Sequence, residues 1–196
     1  MATGLVAHPW WVNLLLLVPP LAWFSWRRSG LSITVRELAF SGTFAAAFGF
    51  VEAVVVAYLR AATGLLPGYQ GTLSDVVRRS GEFYLQSQAI TQFPQSLLTL
   101  EVLREAATIL MLLSVALLAS AKSKARFAMF LWTFAIWDIV YYVSLWATVR
   151  WPHSLMDPDV LFLIPVPWLS PVWFPLLVSA LALSAVLLAR ATPPRT

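Results

Sequence analysis

Residues 96–120 read SLLTLEVLREAATILMLLSVALLAS, a mostly apolar run in which Glu101, Arg104 and Glu105 are the only charged side chains. A membrane-spanning helix needs about 20 predominantly apolar residues. With this run, five stretches meet that requirement, at about 9–26, 34–60, 96–120, 127–149 and 171–190. The sequence therefore predicts an all-α, polytopic integral membrane protein, with five transmembrane helices in a single membrane domain over residues 1–196.

The composition agrees with this class. Of the 196 residues, 60% are hydrophobic and only 11% are charged, whereas soluble domains are about half apolar and a quarter charged. This excess excludes a soluble enzyme, and it also excludes a disordered chain, which would be poor in apolar residues and rich in charge. Because the chain has no cysteine, disulfides, thiolate nucleophiles and cysteine-ligated metals are excluded as well.

The distribution of basic residues predicts the orientation, because Lys and Arg concentrate in cytoplasmic loops. If there are five spans, eight basic residues share one side: Arg27, Arg28, Arg36, Lys122, Lys124, Arg126, Arg190 and Arg195. We therefore expect the N-terminus outside and the C-terminus in the cytoplasm, in the cell (inner) membrane. The net charge of +4 is explained by these membrane edges, so the expected partner is the lipid bilayer and not nucleic acid.

Two substantial loops are expected on the outer side, at about 61–95 and 150–170. In the second, Asp157 followed by Pro158 is typical of a helix start. The apolar run Val160–Ile164 that follows is too short to cross a membrane. We therefore predict a short interfacial or re-entrant segment before the last helix.

Away from their ends, the predicted spans contain five charged residues: Glu52, Glu101, Arg104, Glu105 and Asp138. Charges within a bilayer cost at least a few kcal/mol each, so they are functional hypotheses by default. At about 1.5 Å of rise per residue, all five lie roughly 9–17 Å below the outer ends of their helices. Because three helices bring their charges to one level, we predict a single outward-side pocket.

Helical phase adds two tyrosines to this pocket, since Tyr142 shares the face of Asp138 and Tyr141 flanks it. The predicted pocket comprises Glu52, Glu101, Arg104, Glu105, Asp138, Tyr141 and Tyr142. Arg60 and His153 are expected near its mouth, because both lie at the outer ends of spans.

The pocket has a surplus of negative charge. Four carboxylates face one arginine, so full ionisation would leave three negative charges unless Arg60 turns inward. Protons or a bound cation must make up the difference in a low dielectric. No cofactor motif is evident, although an all-oxygen cluster suits a hard divalent cation. In the structural alternative, Arg104 neutralises one carboxylate and the pair fixes helix register.

Three functions follow from this pocket. The first is binding or transport of a proton, cation or small amine, and the second is an accessory subunit of a larger complex, assembled with partner membrane subunits or a second copy. The third is a membrane-embedded enzyme that acts on a lipid or isoprenoid, with Arg104 holding an anionic group. No recognised catalytic motif is present, so the sequence leaves open whether the protein is an enzyme.

Overall fold

The computed structural model describes residues 6–62 and 95–191, with side chains over 6–58 and 98–191. A 3₁₀ helix, Trp10–Leu17, leads into the first α-helix. The α-helices are α1 (Val18–Trp26), α2 (Val35–Ala62), α3 (Gln95–Ala119), α4 (Ser123–Val149) and α5 (Trp173–Ala191). Strands β1 (Pro158–Phe162) and β2 (Trp168–Pro171) precede α5. The predicted outer loop at 61–95, apart from its ends, and the side chain of Arg60 lie outside the described residues.

Four of these helices, α2 to α5, are long and apolar enough to cross a membrane. The prediction of a multi-pass helical membrane protein is therefore confirmed. The first predicted span is a shorter apolar segment, Trp10–Trp26, in which the 3₁₀ helix changes to α-helix at Val18. Pro19 and Pro20 lie in the first turn of α1, where the missing N–H groups remove no helical hydrogen bond.

Helix α4 lies at the centre of the bundle and packs against α2, α3 and α5. The close approach of α2 depends on Gly49, where an added Cβ would lie only 2.5 Å from the carbonyl oxygen of Trp137. Small residues allow membrane helices to pack backbone to backbone. Glu52 follows Gly49 by about one turn of α2, and its carboxylate contacts Arg104 and Thr108 of α3.

The segment before α5 is a β-hairpin, so the fold is mostly helical and the all-α prediction is wrong here. Strands β1 and β2 pair antiparallel, with Asp159 opposite Ser170 and Val160 opposite Leu169. A tight backbone pair with His8 extends the hairpin on the side of β2, because the two N–H···O bonds between His8 and Leu169 measure 2.7 and 2.8 Å.

The expected helix start at Asp157 and Pro158 is also wrong. The Asp157 carboxylate accepts hydrogen bonds from the backbone N–H groups of His153 and Ser154, at 2.8 and 3.3 Å, and Pro158 opens a strand. The physical reason is the run from Val160 onward, whose β-branched and aromatic residues favour extended backbone. Proline is tolerated at the first residue of a strand, where its missing N–H breaks no ladder bond.

Candidate binding site

A cavity of about 190 Å³ lies where α2, α3, α4 and α5 meet the hairpin, with Leu15 of the 3₁₀ helix also on its wall. All seven residues of the predicted pocket line it: Glu52, Glu101, Arg104, Glu105, Asp138, Tyr141 and Tyr142. The close packing at Gly49 and the central position of α4 bring these side chains together from three helices.

Arg104 is held between two carboxylates. Its Nε and Nη2 lie 2.9 and 2.8 Å from Oε2 of Glu101, and Nη1 forms an ion pair with Glu52. The pair with Glu101 follows from the i, i+3 spacing on α3, whereas the pair with Glu52 joins α3 to α2. Thr108 also donates its hydroxyl to Glu52, at 3.2 Å. The guanidinium is therefore engaged by two anions.

Two further carboxylates join the hairpin to the helices. Glu105 accepts the backbone N–H of Leu163 at 2.7 Å, and Asp159 accepts the hydroxyl of Tyr142 at 2.7 Å. One bond therefore runs from the hairpin loop to α3, and the other runs from β1 to α4. The hairpin covers one side of the cavity and is held there by polar contacts that lie on the cavity wall.

The remaining carboxylate, Asp138, links α4 to α5. It is 6% exposed and accepts the hydroxyl of Ser179 at 2.8 Å. Ser179 is completely buried. Like Glu105, Asp138 is hydrogen-bonded by a neutral donor, so the bond satisfies a lone pair without balancing a negative charge.

Asp159 is the site residue that sequence reasoning missed, because it lies in the predicted outer loop at 150–170 and outside every predicted span. It is only 5% exposed and lines the cavity. Helical phase carries no information about a residue on a strand. The available signal was an acidic side chain next to the apolar run that begins at Val160. Thr108, in contrast, shares the helical stripe of Glu101 and Glu105 and is visible in the sequence.

One of the two predicted mouth residues has a described side chain. His153 has a side chain that is 54% exposed, with Nδ1 3.7 Å from Oδ2 of Asp157, and it does not line the cavity. The side chain of Arg60 lies outside the described residues, so its place near the mouth stays a prediction.

With Asp159 included, the acidic surplus is larger than the sequence predicts. Five carboxylates and one arginine line the cavity among the residues with described side chains, so full ionisation would leave four negative charges. Each carboxylate residue is between 5% and 9% exposed. Charges that are buried without counter-ions are strongly unfavourable, so they become neutral by protonation or bind a cation.

The carboxylates surround the cavity and do not converge on one point. Within residues 6–62 and 95–191, no group of three or more His, Cys, Asp or Glu side chains is arranged to hold a metal ion. Glu52 and Glu101 share Arg104, whereas Glu105, Asp138 and Asp159 each accept a hydrogen bond from a different donor. A hard divalent cation would need several oxygen ligands at about 2.0–2.6 Å from a common centre.

Comparison with known proteins adds no assignment: no family model, no curated protein and no solved structure matches the chain. A fold does not by itself determine a function. We therefore infer function from the wall of the cavity, which combines five carboxylates, one engaged arginine and several aromatic rings.

Proposed function

We propose that the protein binds or transports a proton, a cation or a small amine through this cavity. The acidic surplus carries the proposal: Glu105 and Asp138 line the wall beside Glu52 and Glu101, and Arg104, the one arginine with a described side chain on this wall, is already paired with Glu52 and Glu101. Glu105 and Asp138 accept hydrogen bonds from the Leu163 N–H and the Ser179 hydroxyl, which are neutral donors and leave the negative charges uncompensated. A positive ligand would compensate these charges.

An anionic ligand is not favoured by the same geometry. To bind an anion, Arg104 would have to break its ion pair with Glu52 or Glu101. This would leave a buried carboxylate without its counter-ion. The anion would also enter a cavity that already contains several carboxylates. This argues against an enzyme in which Arg104 holds the anionic group of a lipid or isoprenoid.

A second candidate, an accessory subunit of a larger membrane complex, is favoured by one observation. Every carboxylate on the wall has a hydrogen-bond donor or an ion-pair partner within the chain. Such a network can fix the register of α2, α3 and α4 without binding a ligand. Partner subunits or a second copy would then supply the missing positive charge.

For the membrane arrangement, we propose five spans in a single domain over residues 1–196, with the N-terminus outside and the C-terminus cytoplasmic, in the inner membrane. The 3₁₀ helix Trp10–Leu17 rises about 2.0 Å per residue and α1 about 1.5 Å per residue, so together they extend about 30 Å, the thickness of the hydrocarbon core. The cavity would then face the outer side.

Reporter fusions test this arrangement. A reporter that is active only outside the cytoplasm should work after Arg150 and fail after Arg195, because eight basic residues would otherwise lie on the outer side. Activity after Arg195 would contradict both the span count and the orientation.

Ligand titration tests the proposed function. Purified protein in detergent is titrated calorimetrically with acid, NaCl, MgCl₂ and alkylammonium chlorides. We expect at least one of these to bind, and we expect Glu105→Gln and Asp138→Asn to reduce the binding at least tenfold. The control is Asp157→Asn, which changes a loop carboxylate outside the cavity. If these ligands do not bind to the folded wild type, the proposed function is wrong and the accessory role is favoured.

A further inference from the structure

Aromatic rings form much of the cavity wall beside the carboxylates. The rings from α4, β1 and β2 are Phe134, Trp137, Tyr141, Tyr142, Phe162 and Trp168. They contact one another in a continuous array, with centroid distances of 5.5 Å between Phe134 and Trp137 and 5.4 Å between Phe162 and Trp168. The rings of Phe134 and Phe162, which join α4 to the hairpin, lie 6.4 Å apart.

Carboxylates combined with aromatic faces are the chemistry that recognises organic ammonium groups. The negative face of a ring attracts a cation within about 6 Å of its centroid, and quaternary and alkylated ammonium ligands are bound in aromatic cages. A proton would not contact these faces. A strongly hydrated metal ion would have to exchange water for rings that supply no oxygen ligand.

The size of the cavity leads to the same class of ligand. The cavity has a volume of about 190 Å³. A cavity of about 150 Å³ in another protein accommodates benzene. The space therefore fits an organic molecule of roughly six to ten non-hydrogen atoms, which is far more than a bare ion needs.

A third observation concerns a donor. Trp137 is 6% exposed and lines the cavity, yet its buried indole N–H has no hydrogen-bond acceptor among the described residues. Buried donors are nearly always paired in native proteins, with protein groups or with bound molecules. An oxygen on the ligand would supply the missing acceptor.

We propose that the cavity binds an organic ammonium compound that carries an oxygen acceptor. Its nitrogen faces the carboxylates of Glu105 and Asp138, its apolar part contacts the rings of Phe134 and Phe162, and its oxygen accepts from Trp137. The inference rests on the proposed function and names its ligand. A free amine or the head group of an aminolipid supplies this chemistry.

A matched set of three compounds tests it by calorimetric titration of the purified protein. The compounds are 2-amino-1-phenylethanol, phenethylamine, which lacks the hydroxyl, and 2-phenylethanol, which lacks the amine. We expect the first to bind most tightly, loss of the hydroxyl to weaken binding about fivefold, and loss of the amine to weaken it at least tenfold. Equal binding of the amine and the alcohol would overturn the inference.

Variants of the rings give a second test. Phe134→Leu and Phe162→Leu remove aromatic faces and keep most of the apolar volume, so each should weaken amine binding about fivefold. The matched control is Phe130→Leu, one turn from Phe134 on α4, which does not line the cavity and should leave affinity unchanged. In Trp137→Phe, the hydroxyl should no longer improve binding. If the ring variants bind the amine as tightly as Phe130→Leu does, the aromatic recognition is wrong.

Two membrane compositions distinguish the sources of the ammonium group. Titrations are repeated in nanodiscs of phosphatidylglycerol alone and of phosphatidylglycerol with phosphatidylethanolamine. If the amine binds more weakly in the nanodiscs that contain phosphatidylethanolamine, a lipid head group is the competing ligand. If it binds equally in both kinds of nanodisc, the ligand is a free amine. Either result supports the proposal. If Na⁺, Mg²⁺ or protons bind in dependence on Glu105 and Asp138 while the amines do not, this inference fails and the proposed function stands.

Discussion

The two ends of the helical bundle differ in what they bury. At the end where α1 leads into α2, the buried side chains are mostly apolar, including Trp26, Met129 and Val186, and the buried polar residues Ser41 and Thr133 are uncharged. At the cavity end, carboxylates are buried together with aromatic rings on one cavity wall. The apolar end gains stability from burial alone, whereas the cavity end retains groups that are costly to bury.

Charged groups at the apolar end lie at its periphery. Lys122 and Lys124 are exposed, and their ammonium groups donate to the hydroxyls of Ser32 and Ser29 at 3.3 and 3.1 Å. These contacts join the α1–α2 turn to the start of α4. Exposed polar contacts of this kind contribute little stability. The difference between the ends leads us to predict that Glu105 and Asp138, which have neutral donors, are not needed to fold this bundle.

The largest effect on stability should come from Arg104→Ala. Removing one partner of a buried ion pair costs about 3–5 kcal/mol because it leaves a charge without its counter-ion, and here two carboxylates lose theirs. Adding Glu52→Gln should recover part of the loss in thermal unfolding experiments. Met129→Ala at the apolar end is the control, because it also destabilises, by about 2–5 kcal/mol, but should not be rescued by Glu52→Gln. Absence of rescue in the Arg104 background would contradict the pairing.

Two glycines of α2 compare the ends directly. At Gly49 an added Cβ would lie 2.5 Å from the Trp137 carbonyl oxygen, and backbone must move. At Gly42 it would meet flexible side-chain atoms of Ile136 and Trp132, at 3.1 and 3.3 Å. We expect Gly49→Ala to destabilise by about 1–3 kcal/mol, as overpacking does, and to displace Glu52. Gly42→Ala should change the melting temperature less. The reverse order would disprove the close contact at the cavity end.

The smallest of these effects is expected for Tyr142→Phe. The change removes the hydroxyl that donates to Asp159 and keeps the ring. Asp159 has a further contact, so the loss of this hydrogen bond should cost only about 0.5–1.5 kcal/mol, and we expect faster hydrogen exchange at the backbone amides of β1. The comparison is Tyr141→Phe, which removes the hydroxyl of the neighbouring tyrosine on α4. Unchanged exchange in β1 would mean that this bond does not hold the hairpin.

Much of the helical part is predictable from the sequence. Hydropathy locates the four long helices, and helical phase with a rise of 1.5 Å per residue places Glu52, Glu105 and Asp138 at one level on facing surfaces. These signals suffice because each carboxylate is a rare residue in an apolar background. The seven predicted pocket residues therefore line one cavity.

The hairpin and the partners of Arg104 are not predictable in the same way. The run from Val160 to Phe162 has no polar alternation that would distinguish a strand from a short buried helix, so the position of Asp159 on the wall is hidden. The pair of Arg104 with Glu101 follows from their i, i+3 spacing, whereas its pair with Glu52 joins α3 to α2 and depends on a tertiary distance between these helices. The neutral donor for Glu105 is a backbone N–H of the hairpin.

The central claim is that Glu105 and Asp138 are present for a positive ligand and not for folding. The most direct measurement is the thermal stability of Glu105→Gln and Asp138→Asn beside calorimetric binding of 2-amino-1-phenylethanol. An amide can keep the hydrogen bond from Leu163 or Ser179 while removing negative charge. We predict melting temperatures equal to or above that of the wild type, with binding reduced at least tenfold. Unfolding of both variants under conditions where the wild type is folded would contradict this claim and identify the carboxylates as structural.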